Sequence, residues 1–305
     1  MHEEIARNKR KTFLLLALAV AFTGLIGYIV GYLWFSGPAG IVIAVILAVV
    51  LSIGSYLYGD KMVLASTRAR RVTPEEQPRL HNIVEGLAIA AGIPKPKVYV
   101  VPEMAPNAFA TGRDPEHSSI AVTEGLLQTM NRVELEGVIG HELSHVLDRD
   151  ILVGTVVATV VGAAVLMSEI FMRSWFWGGG RGRRDSGGGG GDTAGALALI
   201  LFVVGIVLLI IAPLAGQLIK FSVSRNREYL ADAQGVLLTR YPPGLISALQ
   251  KIAAAPQAMR SANNATGHLW LNQPSRIEGD DTSKMEKLFS THPPIQERIK
   301  RLQEI

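Results

Sequence analysis

The sequence predicts a mainly α membrane protein, with about four transmembrane helices plus an α+β domain built on a small sheet. Three observations predict it. The chain of 305 residues is 49% hydrophobic and 18% charged, with a mean hydropathy of +0.28, too apolar for an ordinary soluble domain. The apolar excess is gathered into four long runs instead of being spread along the chain. The polar remainder falls into two blocks, 61–150 and 220–305, and short strand-like segments occur in the first.

Residues 1–60 hold the first two apolar runs. Arg7, Lys9, Arg10 and Lys11 precede the run from Phe13 to Phe35, which exceeds the roughly 20 residues that cross a bilayer. Ala19-Val20-Ala21 has the form of a signal-peptidase site, but the run continues well past it, so an uncleaved anchor is expected. Gly37-Pro38 makes a turn, and Ile41 to Leu57 returns. Lys61, Arg68, Arg70 and Arg71 follow. Both basic clusters flank one side, which the positive-inside rule makes cytoplasmic. The net charge of +4 is therefore read as attraction to a lipid bilayer, not to nucleic acid.

In 61–150, a helix is expected from Pro74-Glu75-Glu76 to Ala91, stopped by Gly92-Ile93-Pro94. Lys97–Val101, Asn107–Thr111 and Ser119–Thr123 have strand composition, with the turn Gly112-Arg113-Asp114-Pro115 between the last two. Val133 to Asp150 reads as one helix, with Val133, Leu135, Val138, Ile139, Leu143, Val146 and Leu147 as its apolar stripe. Asp148-Arg149-Asp150 reads as the membrane interface.

Residues 151–219 hold a third run, Ile151 to Ile170, and a fourth, Ala194 to Ile219. The segment 173–192 between them is a Gly-rich linker. Its Arg173, Arg181, Arg183 and Arg184 run against the positive-inside rule. Either the loop lies outside with its charge tolerated, or the two runs form a hairpin that does not fully cross. In 220–305, Ser224 suits the cap of a helix to Arg240, stopped by Pro242-Pro243. Leu245 to Ala255 is a short helix, 261–281 a loop, and Pro293-Pro294 opens an amphipathic helix to Ile305.

The chemistry lies in His141-Glu142-Leu143-Ser144-His145. Four helical residues advance about 6 Å and slightly over one turn, which puts both imidazoles on one face. Glu142 is rotated about 100° from His141 and flanks an ion held there. A carboxylate in that place suits the proton transfers of metal-assisted hydrolysis. The chain has no cysteine, so any zinc is held by histidine and carboxylate. A catalytic zinc takes three protein ligands, and the candidates for the third are Glu228, Asp232, Asp148, Glu169, His268 and His292. Asp148 is too close to His145 on one helix, and Glu169 is remote. Glu228 and Asp232 share a helix face, so one can bind metal while the other fixes a ligand histidine. Two apolar runs separate His145 from Glu228, which leaves both blocks on one side of the membrane.

The motif at 141–145, followed by Ser224-Arg225-Asn226-Arg227-Glu228-Tyr229-Leu230-Ala231-Asp232, resembles the HtpX family of membrane zinc metalloproteases, relatives of the CAAX prenyl protease. Asn107-Ala108-Phe109-Ala110-Thr111-Gly112 and His292-Pro293-Pro294 through Glu297-Arg298 fit the same pattern, and the resemblance covers nearly the whole chain. It implies a zincin-like (gluzincin) catalytic domain with one zinc ion bound by His141, His145 and Glu228. Glu142 would be the general base and acid, and Asp232 would stand behind a ligand. Asn107, Ala108 and Phe109 would belong to a substrate-binding edge strand, and His292 and Arg298 would meet the substrate carbonyl. The implied protein is a multi-pass cell (inner) membrane endopeptidase with its site facing the cytoplasm, acting on unfolded or misfolded membrane proteins. The alternative is a non-proteolytic zinc-binding membrane scaffold, for which Glu142 would have no use. His2, His81, His117 and His268 otherwise read as surface or turn residues, and Trp270 and Tyr229 as packing residues.

Overall fold

The computed structural model describes residues 39–159, 225–255, 266–272 and 293–305, with Met259 and isolated N-terminal positions 6, 10, 13, 14 and 17. The first and fourth apolar runs, the Gly-rich loop, Glu169, Ser224 and His292 lie outside these residues, apart from those isolated positions. Helix α1 (Ala39–Ser66) takes in the whole second apolar run. Val42, Ile46, Val50 and Ile53 are exposed on it, while Val63 and Leu64 near its end are buried. Among the described residues no helix is long and apolar enough to cross a membrane. The number of crossings rests on the sequence.

The sheet has four strands where about three were expected. They are β1 (Arg70–Arg71), β2 (Lys97–Val101), β3 (Ala108–Gly112) and β4 (Ser118–Thr123), in the order β1-β2-β4-β3. The β2–β4 pair is parallel and the other two are antiparallel, with Ala110 opposite Ile120. Two arginines carry no strand pattern, so β1 is visible only through its partner. Between β3 and β4, Gly112 has φ 142, a left-handed-side backbone open to glycine alone. An added Cβ would also lie 2.3 Å from the His117 carbonyl oxygen.

Helix α2 (Pro78–Ala91) begins four residues later than Pro74. Pro78 disfavours helical backbone at Gln77, so it opens the helix itself. Residues 73–76 close a separate turn, in which Glu76 accepts from the Thr73 N–H and from Arg70. Gly92 ends α2 at φ 68, as expected. His81 is buried on α2 with Nε2 at 3.0 Å from the Val72 carbonyl, which corrects its surface reading. A short helix α3 (Glu124–Thr129), capped by Thr123, follows β4.

Helix α4 (Arg132–Leu147) carries the HExxH run. Leu135, Val138, Ile139, Leu143 and Val146 are fully buried, each side chain contributing about 1.5–3 kcal/mol on removal from water. Val133 is exposed instead. The expected single helix to Asp150 is two pieces: α4 ends at Asp148, Arg149 has φ 57, and helix resumes over 150–159. Against α4 pack α5 (Arg225–Thr239) and α6 (Pro242–Ala254), and α7 (Ile295–Gln303) packs on both of these.

The start of α4 is held by a capping box of Asn131 and Glu134. Buried Glu134 also accepts from Ser247 at 2.6 Å and Lys251 at 2.7 Å on α6. Burial pushes its pKa up, but Lys251, Ser247 and the Asn131 N–H outweigh that and leave it lowered. A lowered carboxylate stabilises above its unfolded pKa, and the stabilisation is lost as pH falls through the folded value. Glu134→Gln is therefore expected to cost about 1–3 kcal/mol at pH 7. Urea melts should show that difference shrinking as pH falls below the ordinary glutamate range.

Candidate metal centre

One turn of α4 presents His141 and His145 side by side, with ring centroids 4.8 Å apart and planes at 85°. Their Nε2 atoms are 3.2 Å apart. From α5, Glu228 brings Oε2 to 3.8 Å from the His141 Nε2 and Oε1 to 3.6 Å from the His145 Nε2. Among the described residues these three form a group whose ligand atoms all lie within 4.8 Å of one another. Two nitrogens each about 2.0–2.1 Å from one tetrahedral ion are about 3.3 Å apart.

The outer nitrogens each face a carboxylate. The His141 Nδ1–H donates to Asp232 at 2.9 Å, and the His145 Nδ1–H faces Asp150 at 3.3 Å. Both Nε2 atoms then face each other and the Glu228 carboxylate. Three electron-rich groups gathered in this way fit a cation, and a nitrogen–carboxylate set suits zinc. The protein's own charges agree. Burial and the Arg298 charge hold His141 down to about 4. On His145, burial is outweighed by Asp150, Glu228 and Glu142, which raise it to about 9. The negative field behind that rise is one a divalent ion would answer.

Arg298 is fully buried. Its Nε and Nη2 donate to Asp232 at 2.8 and 2.6 Å, and Nη1 donates to the Leu271 carbonyl at 3.2 Å. Burial pushes Asp232 up, but Arg298 and His141 outweigh it and hold the carboxyl down at about 2. Arg298 thus stands behind Asp232 and also lies 3.3 Å from the His141 Nδ1 and 3.8 Å from Glu228 Oε2, without lining the cavity over the histidines.

That cavity, of about 60 Å³, is lined by His141, Glu142, His145, Glu228, Ala110 and residues 268–271, among others. Glu142 is buried on α4 beside the ligand group. The three expected substrate residues are turned to another segment of the chain. The Asn107 Nδ2 donates to the Asn272 carbonyl at 2.6 Å, and the Asn272 N–H donates to Asn107 Oδ1 at 3.1 Å. The Leu271 N–H donates to the Ala108 carbonyl at 2.8 Å, and Phe109 packs edge-on to buried Trp270 at 4.7 Å. Ala110 is the β3 residue that faces the site.

Sequence reasoning missed several residues here. Asp150, expected only as a residue of the membrane interface, also pairs with Arg227 at 2.6 Å and faces His145. His268 is buried, with Nε2 3.2 Å from the Gly154 carbonyl, and forms cavity wall instead of surface. Its place in an Asn- and Gly-rich loop offered no periodic signal. Trp270 packs as expected.

A model described as peptidase family M48 matches residues 74–305. A "Protease HtpX homolog" of Thermoanaerobacter pseudethanolicus is 47% identical over 305 residues, covering 100% of this chain and 98% of the relative. Another of the same description, from Streptococcus gordonii, is 41% identical over 306 residues, covering 100% of each. Among solved structures, S. mikatae Ste24p aligns with a TM-score of 0.49 and 19% identity, over 99% of this chain and 67% of that one.

Proposed function

Because the chain belongs to peptidase family M48 and is a metallopeptidase, we propose that it is a membrane-embedded zinc endopeptidase that cuts misfolded or damaged membrane proteins at the cytoplasmic face of the cell membrane. The observation that carries this reading is the meeting of His141, His145 and Glu228 in one cavity beside Glu142. His141, His145 and Glu228 would hold one zinc ion. Zinc bound there supplies a Lewis acid that polarises the scissile carbonyl and makes water more acidic. The Glu142 carboxylate takes the proton from the attacking water and passes it to the leaving amine. Asp232 keeps the His141 Nδ1 protonated, and Arg298, which grips Asp232 and lies beside His141 and Glu228, acts as a positioning residue.

The edge of β3 orients the peptide. In an antiparallel ladder, backbone groups alternate between inward and outward. The Ala108 carbonyl accepts from Leu271 and the Gly112 N–H donates to Thr155 Oγ1, so the groups of Ala110 point outward with them. A main-chain contact there needs no particular side chain, which suits varied unfolded segments. Asn107, Ala108 and Phe109 support that edge, and His292 is assigned to the substrate carbonyl. The exposed Val42, Ile46, Val50 and Ile53 of α1 favour a lipid neighbourhood.

The ligand count favours the enzyme over the competing reading, a zinc-binding scaffold. Structural zinc sites close with four protein ligands, and three gather here among the described residues. Full-length protein in detergent, stripped with a chelator, is expected to leave an unfolded protein such as casein intact. One equivalent of zinc should restore cleavage, read as new peptides by mass spectrometry. Equal cleavage with and without metal would overturn the proposal.

A further inference from the structure

The two ligand histidines are supported in the same way by unlike parts of the chain. His141 faces Asp232, and Arg298 grips Asp232. His145 faces Asp150, and the Arg227 Nη1 donates to Asp150 Oδ1 at 2.6 Å. Each imidazole thus has a carboxylate behind it, and each carboxylate has a guanidinium.

Asp150 reaches His145 because α4 breaks. In an unbroken helix a residue five places on stands about 140° around the axis. After α4 ends, Arg149 takes φ 57 and the chain turns, which brings Asp150 back over the ring. A non-glycine residue in that region costs about 1 kcal/mol, a strain spent at this one junction. Arg227 adjoins Glu228 in sequence, so α5 addresses both nitrogens of His145 at once: Glu228 faces Nε2, and Arg227 reaches Nδ1 through Asp150. Arg227 is buried and both residues line the cavity.

We propose that Asp150, gripped by Arg227, is a positioning residue that holds His145 with Nδ1 protonated and its Nε2 lone pair aimed at the metal. The inference rests on the metal reading above. A carboxylate behind a ligand imidazole fixes the ring, makes it a better donor, and is worth about 10–100-fold in metal affinity.

The test is zinc affinity of the full-length, chelator-stripped protein, measured by competition with a chromogenic chelator. Asp150→Asn is expected to weaken zinc by about 10–100-fold. Arg227→Gln should weaken it less, and Asp150→Asn with Arg227→Gln should be no weaker than Asp150→Asn alone, since the arginine acts through the carboxylate. Cobalt-loaded Asp150→Asn should show an altered visible spectrum, which a merely structural role would leave alone. If Asp150→Asn does not fold, Arg227→Gln carries the same affinity and cobalt readouts. Zinc affinity within two-fold of the parent, or effects of the two substitutions that simply multiply, would overturn the inference. A parent that itself fails to bind zinc would overturn the metal centre and this inference together.

Discussion

Glu142→Gln is expected to lower kcat by about 10²–10⁴-fold, the range a positioned general acid–base contributes. The substitution keeps shape and hydrogen-bonding length but removes the proton acceptor. Glu142 is buried against the cavity and is not one of the three gathered ligands. Zinc content should therefore stay at one per chain and KM should change little. Full activity in a Glu142→Gln protein would remove the base from the mechanism. Loss of zinc would instead make Glu142 a ligand, so metal analysis accompanies the rate measurement.

Gly235→Ala is expected to damage the centre from a distance. A Cβ at Gly235 would lie 2.8 Å from the His141 N, 3.0 Å from the Gly140 C and 3.1 Å from the His141 Cα. All of these are helix backbone, so no side chain can swing aside. From the other helix, a Cβ at Gly140 would lie 3.0 Å from the Gly235 carbonyl oxygen. The two missing Cβ atoms let α4 and α5 touch backbone to backbone at the first ligand. Gly235 is seven residues, about two turns, along α5 from Glu228 on the same face. Pushing the helices apart there costs about 1–3 kcal/mol and widens the gap that Glu228 must span. Lower thermal stability together with weaker zinc binding is the expected result. A Gly235→Ala protein with parental melting and zinc affinity would show that the contact does not set the site.

The division between what was legible and what was not follows the range of the interactions. His141, Glu142 and His145 declare themselves by local spacing, since one helical turn brings them together whatever surrounds them. The stops at Gly92 and Pro242-Pro243 are equally local. Glu228 and Asp232 needed the family pattern as well, because spacing discounted Asp148 and Glu169 and paired these two on one helix face but did not say which of them binds the metal. The contact of Asp150 with His145 was not legible because nothing in Asp148-Arg149-Asp150 marks a helix break: no glycine or proline is present, and Arg149 takes a backbone that its type rarely adopts. Its partner Arg227 is 77 residues away. Strand β1 and the buried His81 depend likewise on contacts that only the fold supplies.

The pairing of Leu271 with Ala108 has a consequence for association. Among the described residues β3 ends the sheet, and a bare strand edge is a template on which copies of a protein pair and aggregate. Here Leu271 covers one end of that edge and Thr155 the other, with the Asn107–Asn272 pair bracing the first. A strand reaching past Ala110 toward Ala108 therefore finds no vacant carbonyl. It gains a hydrogen bond only by giving one back to Leu271, an exchange that disfavours a passing, already folded strand far more than a long extended chain able to pair elsewhere.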